Sequence, residues 1–359
     1  MKIAFIIGAR PNFVKAAPVI SLFRKCHEFE SFVVHTGQHF DQNMSSIFFD
    51  QLEMNKPEFN LNIGKGSHAV QTANIMIKIE RILNIIQPQW IFVFGDVNST
   101  LAAAIVAKKL NIKVSHIESG LRSFDMTMPE ELNRILTDRI SDLLFVTEKS
   151  GCENLRAEGV SDNKIFFVGN TMIDTLKNML PRIEKSSILK DLKVYQNKYI
   201  LVTLHRPHNV DNVNQLRLLI EKISELSFNN RIVWPIHPRI SFSKLDLDSS
   251  KWTPLSPVGY IEFIKLMKNA AYIFTDSGGI QEESSFLGVP CFTLRNNTER
   301  PITCELGTNT IVSDNIMKNI SLEFIKTRLD NIQYKTNIPL WDGQASIRIM
   351  NCFKEFTAA

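Results

Sequence analysis

Three carboxylates in the first half of the chain stand where proton transfer could be done. Asp96 follows the apolar run WIFVFG, Glu118 closes KVSHIES, and Glu130 lies in MPEELNR. Carboxylates that converge on one site perturb each other's proton affinity, which suits taking a proton from carbon and returning it. Asp96 could instead cap a helix beginning near Ser99 and Thr100. Pro129, Glu130 and Glu131 are what a first helical turn prefers, so one of those glutamates could serve only there. In the second half, DSGGIQEE (276–283) sets Ser277, Gly278 and Gly279 between a strand end and a helix start, where backbone N–H groups can approach a phosphate. Arg10, Lys15, Arg206 and Arg239 lie in comparable loops, and guanidinium groups bind phosphate oxygens in pairs. His205 could donate to a departing phosphate or be a satisfied structural histidine. Together with His208 and His237 it could suggest zinc, but the spacing falls on a loop holding Pro207 with no cysteine near, so no metal is expected. Neither GxGxxG nor GxxxxGK[ST] occurs, and no cofactor is expected.

These residues follow short, β-rich apolar runs separated by segments of helical spacing. The runs are KIAFIIG (2–8), FVVHTG (32–37), WIFVFG (90–95), KVSHIES (113–119), LLFVT (143–147) and IFFVGN (165–170). Leu101, Ala104, Ile105 and 107–110 fit a 3.6-residue period, predicting a helix over 100–110. After a charged stretch near 185–198 the pattern restarts with YILVTLH (199–205), RIVWPIH (231–237), LSPVG (255–259), YIFTD (272–276), CFTLRN (291–296) and NTIVS (309–313). Strand, helix, strand repeated twice predicts an α/β protein of two Rossmann-like domains whose parallel sheets face a central cleft. Ligands of such sheets bind beyond the carboxyl ends of the strands, where Arg, His, Asp and Glu are crowded here.

The whole-chain numbers agree. A length of 359 residues suits about two domains, and 44% hydrophobic with 22% charged residues is ordinary globular usage. Lys plus Arg exceeds Asp plus Glu by 41 to 37, a net +4 that is too small to predict nucleic-acid binding. Cys26, Cys152, Cys291, Cys304 and Cys352 are scattered and odd in number, which points to reduced thiols and a cytoplasmic setting. Ile3 to Ala9 is interrupted by Arg10 and reads as a strand. No run of about 18 apolar residues occurs, so no membrane partner is expected.

A series of motifs then carries a resemblance. GxRPxxxK at 8–15, HTGQH at 35–39, GDxxST at 95–100, HIESGLRS at 116–123, PEExNR at 129–134 and GNTMID at 169–174 run in order along the first half. HR at 205–206, TDSGGIQEE at 275–283, TERP at 298–301 and DGQAS at 342–346 follow. The chain resembles the non-hydrolysing UDP-N-acetylglucosamine 2-epimerases from end to end, Arg10-Pro11 favouring the non-hydrolysing branch. The resemblance implies a glycosyltransferase-B-like homodimer. One domain would cover 1–170 and be rejoined by a C-terminal helix over 343–359, and a UDP-binding domain would cover 171–342. It implies inversion at C2 of a UDP-2-acetamido sugar, by elimination of UDP to a 2-acetamidoglycal and re-addition, feeding surface polysaccharide synthesis. Asp96, Glu118 and Glu130 would be the acid/base group, and His205 would stabilise departing UDP. Arg10, Lys15, Arg134, His237, Ser277, Gly278, Gly279, Glu282 and Arg300 would hold the nucleotide.

Two departures from the family pattern stand out. His208 occupies a position where members usually carry Glu. The second-site pair Gln38 and His39 is followed by Asp41 rather than Gln, and no Arg or Lys occurs between Gly66 and Lys78, which argues against activation by substrate. HTGQHFDQNMSSIFF with GARPNFVKA is similar to the branch acting on UDP-2,3-diacetamido-2,3-dideoxyglucuronate, the alternative substrate, where a cationic His208 would suit a uronate. A UDP-sugar glycosyltransferase and a non-catalytic nucleotide-sugar sensor would share the architecture.

Overall fold

The computed structural model describes residues 1–37, 49–237, 240, 245, 247–331 and 337–358, with the Arg10 side chain outside that description. Gln38, His39, Asp41 and Arg239 also lie outside the described residues. The chain forms two compact units, Met1–Asn178 with Pro339–Ala359, and Met179–Ile338.

In the first unit the strands are β1 (Lys2–Ile7), β2 (Glu30–His35), β3 (Phe59–Asn60), β4 (Trp90–Phe94), β5 (Lys113–Ser119), β6 (Leu143–Val146) and β7 (Ile165–Phe167). They pair in parallel in the order β3-β2-β1-β4-β5-β6-β7. Because β1 lies between β2 and β4, the loops leaving β1 and β4 run to opposite sides, and this is where an open sheet offers a crevice. Alternate residues of each strand feed two layers. Ala4, Ile6, Ile91, Val93 and Val114 pack with Ile79, Leu83 and Ala103 on one face. On the other face Phe5 and Phe92 meet Phe23 at ring distances of 5.6 and 5.2 Å.

The last helix, Ala345–Ala358, closes that aromatic layer: Phe353 lies 5.0 Å from Phe92, 5.2 Å from Trp90 and 5.6 Å from Phe23. Its start is fastened by Asp174, whose carboxylate accepts from Ala345 N at 3.0 Å and from Ser346 N and Oγ, each at 2.7 Å. Burial pushes the Asp174 carboxyl up despite the opposing Ser346 hydrogen bonds. Nearby, Trp341 Nε1 donates to Thr147 O, and Gly169 (φ +88°) leaves space where a Cβ would lie 2.1 Å from Leu340 O. These contacts give the spaced motifs GNTMID and DGQAS one shared structural reason. They also place the chain's return at Pro339, ahead of 343, and carry the first unit past 170 to Asn178.

The second unit has β8 (Tyr199–Thr203), β9 (Arg231–Pro235), β10 (Trp252–Leu255), β11 (Ile273–Thr275), β12 (Cys291–Thr293) and β13 (Asn309–Ile311), ordered β10-β9-β8-β11-β12-β13. Its reversal lies between β8 and β11, so the loops after those strands are the counterparts of the β1 and β4 loops. The strand expected over 255–259 is instead Trp252–Leu255. Trp252 is buried against Trp234 at 5.4 Å and pairs with Ile232, which fixes the register earlier than the apolar spelling of LSPVG suggests. Phe59–Asn60, too short to show a period, was not expected as a strand.

Candidate active site

The β1 and β4 loops of the first unit are assembled around Asn12 and Lys15, one turn apart on the helix Arg10–Lys25. Asn12 Oδ1 accepts from Gly8 N and Ala9 N, each at 3.1 Å, and its Nδ2 donates to Phe94 O at 2.8 Å, which ties the two strand ends together. Lys15 then reaches Glu118: Nζ lies 2.6 Å from Oε2, with side-chain exposures of 5% and 2%. Gly95 (φ +61°) makes room, since a Cβ there would lie 3.1 Å from Lys15 Nζ.

Glu118 sits where the β5–β6 register slips between Ile117 and Ser119, and its φ is +69°. A left-handed conformation costs a non-glycine residue on the order of 1–2 kcal/mol, so the surroundings must hold this one in place. They do so through a buried network. His116 donates Nε2–H to Gly95 O at 2.8 Å, and its Nδ1 lies 2.7 Å from Asp138. Asp138 accepts from Gly120 N at 3.0 Å and pairs with Arg122 at 2.7 Å. The network thus joins residues on both sides of Glu118 to the end of β4.

Asp96 is half-buried, and its Oδ2 accepts from Arg134 Nη2 at 2.8 Å. It does not cap the following helix, Asn98–Lys109, whose N-cap is Val97 with no side-chain bond. Ser99 and Thr100 have partners of their own, Thr36 Oγ1 at 2.7 Å and Phe94 O at 2.8 Å. Of the paired glutamates in the helix Pro129–Ile140, the structural one is Glu131. It is 1% exposed, accepts from Ser123 N, Ser123 Oγ and Phe124 N, and pairs with Arg134. Glu130 is half-buried one residue earlier. Asp96, Glu118, Lys15 and Arg134 therefore belong to one unit, and Lys15 and Arg134 both serve carboxylates there.

In the second unit His205 follows β8 and Asp276 follows β11. His205 Nδ1 lies 2.8 Å from Asp276 Oδ1, and Asp276 also accepts from the backbone N of His205 and Arg206 and from Asn209 Nδ2. Burial would raise this carboxyl, but the His205 ring, Asn209 and the Arg206 N–H outweigh it and hold Asp276 down at about 2. His237 is exposed, its ring 5.7 Å from that of His205. His208 takes a different carboxylate, Asp314, at 3.1 Å, and Asn296 donates to the same carboxylate.

Ser277 is the N-cap of the helix Gly278–Leu287, and no side chain caps it, so the half-buried first turn presents N–H groups to an anion. Behind it lies a buried charge cluster: Arg300 pairs with Glu282 at 3.0 Å and with Glu299, and Arg295 pairs with Glu299 at 2.7 Å. A Cβ at Gly278 would lie 2.6 Å from Arg300 Nη1, so only glycine lets that guanidinium close on the turn. Glu282 is fully buried and Arg300 nearly so.

A model of the UDP-N-acetylglucosamine 2-epimerase family matches residues 23–354. The chain belongs to the UDP-N-acetylglucosamine 2-epimerase family. A Methanococcus maripaludis protein named UDP-N-acetylglucosamine 2-epimerase homolog is 45% identical, covering 99% of each chain. A Pseudomonas aeruginosa UDP-2,3-diacetamido-2,3-dideoxy-D-glucuronate 2-epimerase is 40% identical over 97% of this chain and 98% of its own. The crystal structure of a Methanocaldococcus jannaschii UDP-GlcNAc 2-epimerase in complex with UDP-GlcNAc and UDP is 41% identical, covers 99% of this chain and 100% of its own, and superposes with a TM-score of 0.91. The two parallel-sheet units are the fold shared by this epimerase family.

Sequence reasoning passed over Asn12, His116, Asp138, Asp276 and Glu283, and left open which of Glu130 and Glu131 is structural. Each holds another group, and a holding role leaves no spacing signal. Glu283 makes the clearest measurable case. It is buried, accepts from Tyr260 Oη at 2.9 Å, and burial pushes its carboxyl up to about 8, with the Tyr260 bond opposing and the Glu282 charge assisting. Between pH 4.5 and about 8 the folded state keeps a proton that the unfolded chain has released, so this group's stabilisation falls as pH rises, by up to about 1.4 kcal/mol per pH unit. Asp276, held down at about 2, is ionised in both states across that window, so its stabilisation is constant there and adds no slope. Thermal melts of Glu283→Gln should show a flatter dependence of Tm on pH, with the difference from wild type widening towards pH 8; parallel curves would refute the assignment.

Proposed function

We propose that the protein inverts C2 of a UDP-2-acetamido sugar, converting UDP-N-acetylglucosamine to UDP-N-acetylmannosamine without hydrolysis. The observation that carries this reading is the buried Glu118 carboxylate, held in a left-handed bulge against Lys15 with Asp96 and Arg134 in the same unit. A carboxylate of this first-unit group, in which Glu130 is included, removes the C2 proton as the C1–O bond to UDP breaks. The electron pair left at C2 becomes the C1–C2 double bond of a 2-acetamidoglycal, and UDP leaves as the diphosphate anion. Re-addition of UDP at C1 with a proton delivered to the opposite face of C2 gives the epimer. The second unit supplies the groups that hold the diphosphate in this reading: the Ser277–Gly279 turn, Arg300 behind it, and His205 after β8 with His237 after β9. Glu282 supports Arg300, and Arg10 would add a cation to the nucleotide.

The substrate reading places UDP-N-acetylglucosamine first, because relatives named UDP-N-acetylglucosamine 2-epimerase are 43% and 42% identical and the diacetamido-uronate relative is 40% identical. The Asp314 contact supports the same order, since His208 already has a carboxylate partner within the unit. The reading includes a homodimer, with the exposed Val70, Ile77 and Ile85 on the helix His68–Ile86 and Leu132 and Leu136 on the helix Pro129–Ile140 as apolar surface for it; a monomer mass in sedimentation would remove that part. It also includes a reducing cytoplasmic setting, supported by five free cysteines, and a supply role in surface polysaccharide synthesis. Among the described residues no helix is long and apolar enough to cross a membrane.

The test is NMR of each UDP-sugar with enzyme in heavy water. UDP-N-acetylglucosamine should yield the C2 epimer with deuterium at C2, faster than the diacetamido-uronate does. A reversed preference would move the assignment to the uronate. No epimer and no exchange with either would refute the function, and transfer only when an acceptor is added would favour a glycosyltransferase.

A further inference from the structure

His205 reaches Asp276 by Nδ1, while among the described residues its Nε2 has no hydrogen-bond partner and the side chain is 41% exposed. Asp276 is fully buried and surrounded by donors. Oδ1 receives His205 Nδ1 at 2.8 Å and His205 N at 3.1 Å, and Oδ2 receives Arg206 N and Asn209 Nδ2, each at 3.0 Å. A carboxylate so placed can only accept, which forces the proton onto Nδ1 and leaves Nε2 as the working nitrogen. Both residues stand in the loops just after the two strands that flank the sheet's reversal, β8 and β11, so the topology brings them together.

We propose that Asp276 is the positioning residue for His205: it fixes the Nδ1–H form, stabilises the ring when it carries charge, and presents Nε2 to the diphosphate that leaves. This rests on the epimerase reading for the leaving group, and on the geometry alone for the proton's position.

Asp276→Asn separates the two. An amide has one acceptor and one donor end. Arg206 N and Asn209 Nδ2 both demand an acceptor at the Oδ2 position, so the amide NH2 falls at Oδ1 and donates to His205 Nδ1. That nitrogen must then be bare, and the proton moves to Nε2. Nitrogen-15 spectra of the full-length protein with labelled histidine, His205 assigned by its absence in His205→Gln, should show Nδ1 protonated in wild type and Nε2–H with bare Nδ1 in Asp276→Asn. Adding UDP should shift the Nε2 resonance of wild-type His205 and leave Nδ1 protonated. In turnover of UDP-N-acetylglucosamine, kcat of Asp276→Asn should fall about 10²-fold or more with KM within about threefold. A bare Nδ1 in wild type overturns the proposal, as does a variant with switched tautomer and wild-type kcat. Failure of the variant to fold leaves the decision with the wild-type spectrum and its response to UDP. Failure of the wild-type enzyme to epimerise any UDP-2-acetamido sugar refutes the functional reading alone, and the same two spectra still decide this one.

Discussion

Glu118→Gln is expected to lower C2 deuterium exchange and epimer formation together, by about 10²–10⁴-fold, while leaving UDP affinity within about twofold. The size follows from removing a positioned proton acceptor without removing its shape. Glutamine can keep the bulge and still accept from Lys15 through its amide oxygen, but it cannot take a proton. The selectivity follows from where the groups lie. Glu118, Lys15 and Asp96 belong to the first unit, and the Ser277–Gly279 turn, Arg300 and His205 to the second, each in its own hydrogen-bond network. Isotope exchange and isothermal titration with UDP on one preparation check both halves. Exchange at the wild-type rate would remove Glu118 from the chemistry. Loss of UDP binding in parallel would show that the carboxylate also supports the nucleotide.

The architecture was legible because its signals are physical and repeated. Runs such as WIFVF are apolar throughout because strands buried on both faces need no alternation, and β4 is buried at every position. The candidate residues were legible because open sheets concentrate chemistry after their strands, and Asp96, Glu118, His205 and Ser277 follow β4, β5, β8 and β11 or close them. What the sequence hid is the pairing between them. Nothing in HIESGLRS says that His116 spans to Gly95 and Asp138, or that Glu118 takes a positive φ, because that conformation is imposed by the bulge and the network around it. The adjacent carboxylates Glu130 and Glu131 were indistinguishable as letters. Burial separates them, since only Glu131 turns inward to Ser123 and Arg134. Asp276 was passed over for a related reason: in a motif read for Ser277 and its glycines, the aspartate that opens it carried no separate signal, yet it meets His205 seventy-one positions earlier.

The role of Lys15 yields a test in which two readings part. The resemblance assigns it to the nucleotide, whereas the structure gives its ammonium to Glu118 at 2.6 Å in a site where both side chains are almost wholly buried. Removing one partner of a buried ion pair strands the other charge without water, at a cost of about 3–5 kcal/mol, a large part of a stability of roughly 5–15 kcal/mol. Replacing both partners by neutral groups of similar shape avoids that stranded charge. Lys15→Met should therefore lower the denaturation midpoint markedly, and the double variant Lys15→Met with Glu118→Gln should be destabilised by much less than the sum of the two single changes. Urea unfolding of the four proteins gives the coupling energy directly, expected at about 1–3 kcal/mol in favour of the intact pair. If Lys15 instead works mainly on the nucleotide, Lys15→Met will weaken UDP binding tenfold or more with little change in stability, and the cycle will be additive. An additive cycle would detach Lys15 from Glu118 and return it to the phosphates; a coupled one makes Lys15 the buried partner that holds the Glu118 carboxylate in place at the end of β5.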